Sequence, residues 1–204
     1  MKPRFVLPVL TLALVTLSGC AAAADLPEPS PTPTIDPGPV ELSIDAAGER
    51  YLQIICPNNA AGEALNQAFL AGEDEFMNGG APDPAAVKAA GVAALDVGRA
   101  TAEFLDDEYY IWPEDVAEHI ATIRTITITD LSYLSEVANA TTFEQAYYAT
   151  YVNDGSGATA SQTIRFELGL DPDTTASCIG YESGHEELRQ EQTEREAELA
   201  KFDL

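Results

Sequence analysis

PEDVAEHIATIRTITITDLSYLSEVA, residues 113–138, is the stretch that decides the fold. Its middle, TIRTITIT at 122–129, is a β-branched run, and propensity alone assigns it to a strand. The flanks argue otherwise. Val116, Ile120 and Ile123 before it, and Leu131, Leu134 and Ala138 after it, recur at helical spacing. No other segment offers a matching alternation with which a strand could pair. The whole stretch therefore reads as one helix. Pro113-Glu114-Asp115 opens it, with two acids in the first turn where the helix dipole favours them. Once this segment is helical, so is most of the chain, and the expected fold class is all-α, a compact helical bundle.

Working outward, Tyr51, Leu52 and Ile55 mark a helix face expected to stop at Cys56-Pro57. Ala61, Ala64, Leu65, Ala68 and Phe69 form a second stripe. Asp83-Pro84 reads as a cap followed by a first-turn proline, leading into a helix to about Leu105. Downstream, Thr142 and Gln145 make a capping-box pattern ahead of Phe143, Ala146, Tyr147 and Tyr151. A further segment, Ala158 to Leu170, ends at Asp171-Pro172. Tyr109, Tyr110 and Trp112 are read as a loop pinned into the core, with an open aromatic patch as the other reading. The globular domain is assigned to residues 41–182. Residues 183–204 are rich in Glu, Gln and Arg with few large apolar side chains, among them Leu188, Leu199 and Phe202, and are expected to form a solvated, acidic helical tail.

The amino terminus carries a different kind of signal. Lys2 and Arg4 precede an apolar run, Phe5 to Leu17, that is too short for a permanent span of roughly 20 residues. The run ends in Leu17-Ser18-Gly19-Cys20, which resembles the lipobox of bacterial lipoprotein precursors. That resemblance implies a signal peptide at 1–19, diacylglycerol on the Cys20 thiol and cleavage at Gly19/Cys20. It further implies a protein anchored by lipid on the extracytoplasmic face of the cell membrane. Residues 20–40 would then hold the lipidated Cys20 and a linker. Asp25–Pro39 reads DLPEPSPTPTIDPGP, a stretch that favours extended polyproline II at about 3.1 Å per residue and acts as a spacer. In layout, the body resembles small single-disulfide helical lipoproteins of Gram-positive envelopes, whose roles are unassigned.

Charge narrows the partners. The chain carries 10 Lys+Arg against 34 Asp+Glu, a net of −24, and loss of Lys2 and Arg4 takes this to −26. Such a polyanion repels nucleic acid, so the expected partners are the membrane through Cys20, an envelope protein, or a cationic ligand. The same acidity also serves solubility. With Cys20 lipidated, Cys56 and Cys178 remain and are read as a disulfide outside the cytoplasm, two free thiols or a metal site being the alternatives. A metal site is the weaker alternative, because neither cysteine lies in a C-x-x-C pair or beside a histidine.

Catalytic patterns such as G-x-S-x-G, H-E-x-x-H and the P-loop do not occur, and no catalytic residue or cofactor is assigned. His119 is read as a packing residue and His185 as solvated. His119 with Glu114 and Glu118 on one helix face is the one weak candidate for a metal. The acidic triplets Glu73-Asp74-Glu75 and Asp106-Asp107-Glu108 lack EF-hand order. The expected function is a non-enzymatic accessory or interaction module of the envelope. A cation- or small-ligand-binding lipoprotein is the alternative, and an envelope hydrolase is third.

Overall fold

Threonine hydroxyls settle the ambiguous run. In the computed structural model, which describes residues 38–152 and 154–201, residues Glu114–Asn139 are a single helix. The Oγ1 atoms of Thr122, Thr125, Thr127 and Thr129 donate to the carbonyls of Glu118, Ala121, Ile123 and Thr125 at 2.9–3.0 Å. Each threonine thus returns its hydroxyl to the turn before it, which makes the β-branched residue tolerable in a helix. The expected signal peptide at 1–19, the expected lipidation site Cys20 and nearly all of the expected linker lie outside the described residues.

The elements run β1 (Val40–Glu41), α1 (Ile44–Met77), α2 (Ala85–Leu105), β2 (Tyr110–Ile111), α3 (Glu114–Asn139), α4 (Phe143–Tyr147), α5 (Ser156–Glu167), a 3-10 turn (Ala176–Cys178) and α6 (Gly184–Leu199). The fold is an all-α bundle with one small addition. β1 and β2 pair in parallel, Val40 opposite Tyr110. Two core clusters lie along α1 and α3. Ala47, Tyr51, Ile54, Phe104, Val116, Ile120, Ile164 and Leu188 belong to one. Leu65, Val87, Ala94, Val137, Phe143 and Ala146 belong to the other. Helices α2 and α3 approach closely because α2 carries glycine at the contact: a Cβ on Gly91 would meet Val137 Cγ1 at 2.9 Å.

Several expected boundaries move. Helix α1 does not stop at Cys56-Pro57 but continues through it. Pro57 has no N–H for the carbonyl of Gln53, yet the start of α6 covers this point. A Cβ on Gly184 would lie 2.3 Å from Gln53 O, and His185 Nε2 donates to Ile54 O at 2.8 Å. Ala64 of the expected stripe is exposed, whereas Leu65 is buried. Pro84 occupies the cap rather than the first turn, with Asp83 Oδ1 accepting from Ala85 N at 3.0 Å. Helix α4 has only five residues. Thr142 caps it as expected, but Gln145 reaches back to Thr141 and not to Thr142. Tyr151 falls beyond that helix. Helix α5 starts earlier than expected, at Ser156 after the left-handed Gly155, and ends at Glu167.

The largest correction concerns α6. It is helical, but it is not a solvated tail. Leu188 is fully buried in the first core cluster, and His185 is buried against the Phe104 ring at 5.1 Å. The disulfide joins Cys56 of α1 to Cys178 of the 3-10 turn, Cα to Cα 5.3 Å. The Asp171–Asp173 turn lies close by. Arg165 Nη1 donates to Asp171 O at 2.8 Å and to Ser177 Oγ at 2.7 Å.

The packing of His185 has a pH consequence. Burial holds its imidazole below the usual histidine range, the Ile54 carbonyl opposes that only in part, and Arg189 also disfavours the charge. The neutral ring is the folded form, so its contribution is complete above the unfolded value of about 6.5 and is lost as pH falls through the lowered folded value. Calorimetric melting between pH 7 and 5 is expected to show a steeper acid loss for the native protein than for His185→Gln. Equal slopes would refute it.

Candidate functional site

Among the described residues a cleft opens between α1, α3, Tyr151, Val152 and the stretch from Asp154 to Ser161. It has a volume of about 770 Å³ and adjoins a second lobe of about 510 Å³, both lobes sharing Asn58, Asn59, Thr127, Asp130 and Tyr151. Helix α3 builds one wall, because Thr122, Thr125 and Thr129 recur at three- and four-residue steps on one face. Helix α1 supplies Asn58 and Asn59 just after Pro57. At the floor, the Tyr51 and Ser161 hydroxyls lie 3.0 Å apart.

Where the lobes meet, Asp130 is half-buried, and burial raises its carboxyl above the ordinary range. Among the described residues it makes no hydrogen bond or ion pair. Tyr133 and Tyr151 stand beside it with ring centroids 5.1 Å apart and planes inclined at 52°. Burial, first, and then neighbouring groups including Asp130 raise both phenols, so they are neutral at physiological pH. Neither lobe is lined by Lys, Arg or His. Aromatic faces, carboxylates, amides and hydroxyl lone pairs suit binding. Among the described residues the Ser161 hydroxyl is partnered by the Tyr51 hydroxyl, itself raised by burial, and by no base.

A second constellation holds the architecture. Asp107 Oδ2 accepts from Arg50 Nη2 at 3.1 Å and from Arg195 Nη2 at 2.9 Å, while its Oδ1 accepts from Tyr109 N at 3.1 Å. Glu191 accepts from Arg50 Nη1 at 3.2 Å and from the Tyr110 hydroxyl at 2.6 Å. Burial first, then the Glu191 hydrogen bond, pushes Tyr110 up to about 12. Arg50 lies 3.7 Å over the Tyr110 ring and Arg195 lies 4.3 Å over that of Tyr109. These two tyrosines are therefore neither apolar core nor an open sugar platform. They are guanidinium stacking partners that pin α6 to α1. Trp112 does pack against the first core cluster, as expected.

His119 is half-buried on α3, and Glu114 and Glu118 beside it are exposed, with Glu118 at the rim of the cleft. Among the described residues no group of three or more His, Cys, Asp or Glu side chains is arranged to hold a metal ion. Glu73 of the first acidic triplet accepts from the Tyr147 hydroxyl at 2.9 Å, and Asp106 of the second pairs with Arg124 at 2.7 Å. Among the described residues no helix is long and apolar enough to cross a membrane. Sequence reasoning missed Asp130, Tyr133 and Asn58 as cleft residues. The one available signal was an acid directly after the threonine run on α3. No protein-family model, curated protein or solved structure matches the chain.

Proposed function

We propose that this protein is an extracytoplasmic lipoprotein, cleaved before Cys20 and held by acyl chains on that residue, that works by binding and not by catalysis. The anchor rests on the lipobox resemblance at Leu17-Ser18-Gly19-Cys20, and the proline-rich spacer gives the body reach from a lipid surface. The binding role rests on one observation, the open cleft in which Asp130 stands unpaired beside Tyr133 and Tyr151. A concave site with a few convergent polar groups favours a small ligand over a flat protein contact. It therefore favours the ligand-binding form of an envelope module over a purely accessory one.

Two readouts test the proposal. Cys20→Ala is expected to remain as unprocessed precursor or to appear in the medium, and globomycin is expected to make a larger precursor of the native chain accumulate. A mature-sized Cys20→Ala protein that stays on the membrane would sink the anchor. Amide NMR of the processed protein against a panel of amines, amino acids and saccharides is expected to give shifts clustered at Asn58, Thr127, Asp130 and Tyr151. No clustered response to any member of the panel would remove the binding role.

A further inference from the structure

We propose that the cleft takes a linear organic polycation of the di- or polyamine class. This rests on reading the cleft as a binding site and names its ligand. On the α3 wall Ala121, Ile123 and Ile126 supply apolar surface, and the hydroxyls set between them are acceptors. Thr122, Thr125, Thr127 and Thr129 have committed their hydroxyl protons to carbonyls of their own helix, so they face the cleft with lone pairs alone. Ser156 likewise donates to Asp154 Oδ1 at 2.6 Å. Those two hydrogen bonds from Ser156, side chain and backbone, hold Asp154 below the usual carboxylate range, so it stays ionised. A ligand rich in N–H donors answers such a wall, and one rich in acceptors does not.

The charges are distributed to match a chain and not a point. Glu118 and Asp130 lie twelve residues apart on α3, about 18 Å along a helix axis. A divalent ion needs six or more oxygens within one shell, which carboxylates spread along a groove do not supply. An extended polyamine carries ammonium groups separated by short methylene runs, and so meets carboxylates one after another along such a groove. At the junction of the lobes, Asp130 would pair with one ammonium while the Tyr133 and Tyr151 faces cover the adjoining methylenes and share the charge. The ligand would supply the partner that half-buried Asp130 lacks within the protein. With no Lys, Arg or His on either lobe, nothing repels a cation entering there.

Calorimetric titration of the processed protein in detergent with spermidine, at about 0.15 M salt so that surface charge is screened, is the test. One site of micromolar affinity is expected, with 1,8-octanediol, a neutral chain of similar length, giving no response. Asp130→Asn is expected to weaken binding about tenfold or more, the loss of one ammonium–carboxylate contact. Tyr151→Ala, at a residue 53% exposed and so safe for folding, is expected to weaken it severalfold. Glu103→Gln, an exposed acid on α2 outside the cleft, is expected to change nothing. A weak multi-site response reduced equally by Glu103→Gln would be a counterion atmosphere and would overturn the inference. Spermidine without effect, while a neutral member of the NMR panel shifts the cleft residues, would overturn the polycation and leave the binding cleft standing. Silence from every ligand at those residues would overturn both.

Discussion

Asp107→Asn is expected to destabilise the protein by about 3–5 kcal/mol, the range found when one partner is removed from a buried ion pair. Its carboxylate lies between two guanidiniums, and its side chain is only 8% exposed. Arg50 beside it is 5% exposed at the side chain, so the substitution would leave a buried positive charge leaning on Glu191 alone. Among the described residues Arg50 Nε already has no hydrogen-bond partner, so its hydrogen bonding has little to spare. Urea unfolding followed by circular dichroism measures the loss. Asp96→Asn is the control. Asp96 pairs with Arg99 in the open, 68% exposed, and its removal is expected to change stability by less than about 1 kcal/mol. If Asp107→Asn also stays within about 1 kcal/mol of the native protein, the cluster does not hold α6 to the body in the way its geometry implies.

Removing the disulfide is expected to have an effect of similar size through a different route. Cys56 and Cys178 are 122 residues apart in sequence. Closing a loop of that length restricts the unfolded chain by about 4–5 kcal/mol in the chain-entropy view, and removing a native disulfide from a small secreted domain typically costs about 2–5 kcal/mol. Cys56→Ala adds a small packing loss, because the residue is 3% exposed within the first core cluster. Thermal melting of the double variant Cys56→Ala/Cys178→Ala is expected to fall by about 10 °C relative to the native protein, given 2–4 °C per kcal/mol at this size. Reduced native protein should follow it closely, since reduction leaves both side chains in place. An unchanged melting temperature in both samples would mean that the link contributes nothing.

How much of this was legible in the sequence depends on how local the deciding physics is. Helix α3 could be read because Val116, Ile120 and Ile123 carry a period that outweighs the propensity of the threonines. The hydroxyl bonds that resolve the conflict are themselves within the helix. Pro57 was misleading for the opposite reason. What lets α1 continue past it is Gly184 and His185, residues far downstream whose arrival no local pattern announces. Helix α6 was read as solvated because its composition is charged, yet Arg195 is largely withdrawn from water against Asp107, and Glu191, still partly exposed, pairs with Arg50. The cysteine pairing was legible from arithmetic and from the compartment that the lipobox resemblance implies. The cleft was not. It exists only where Tyr151, beyond the short helix α4, meets Tyr133 and Asp130, and a tertiary juxtaposition of that kind leaves no spacing to find.

The Cys56–Cys178 link also bears on survival wherever proteases reach the protein. It brackets α2 to α5, and the exposed backbone at 78–81 and 150–152 lies inside that bracket. Exposed turns of this kind are where nicking concentrates. A single cut at either place would divide the polypeptide without shedding a fragment, because the two pieces stay covalently joined. Such a molecule would migrate as one species until reduced, and its distal half would remain tethered to whatever holds the first.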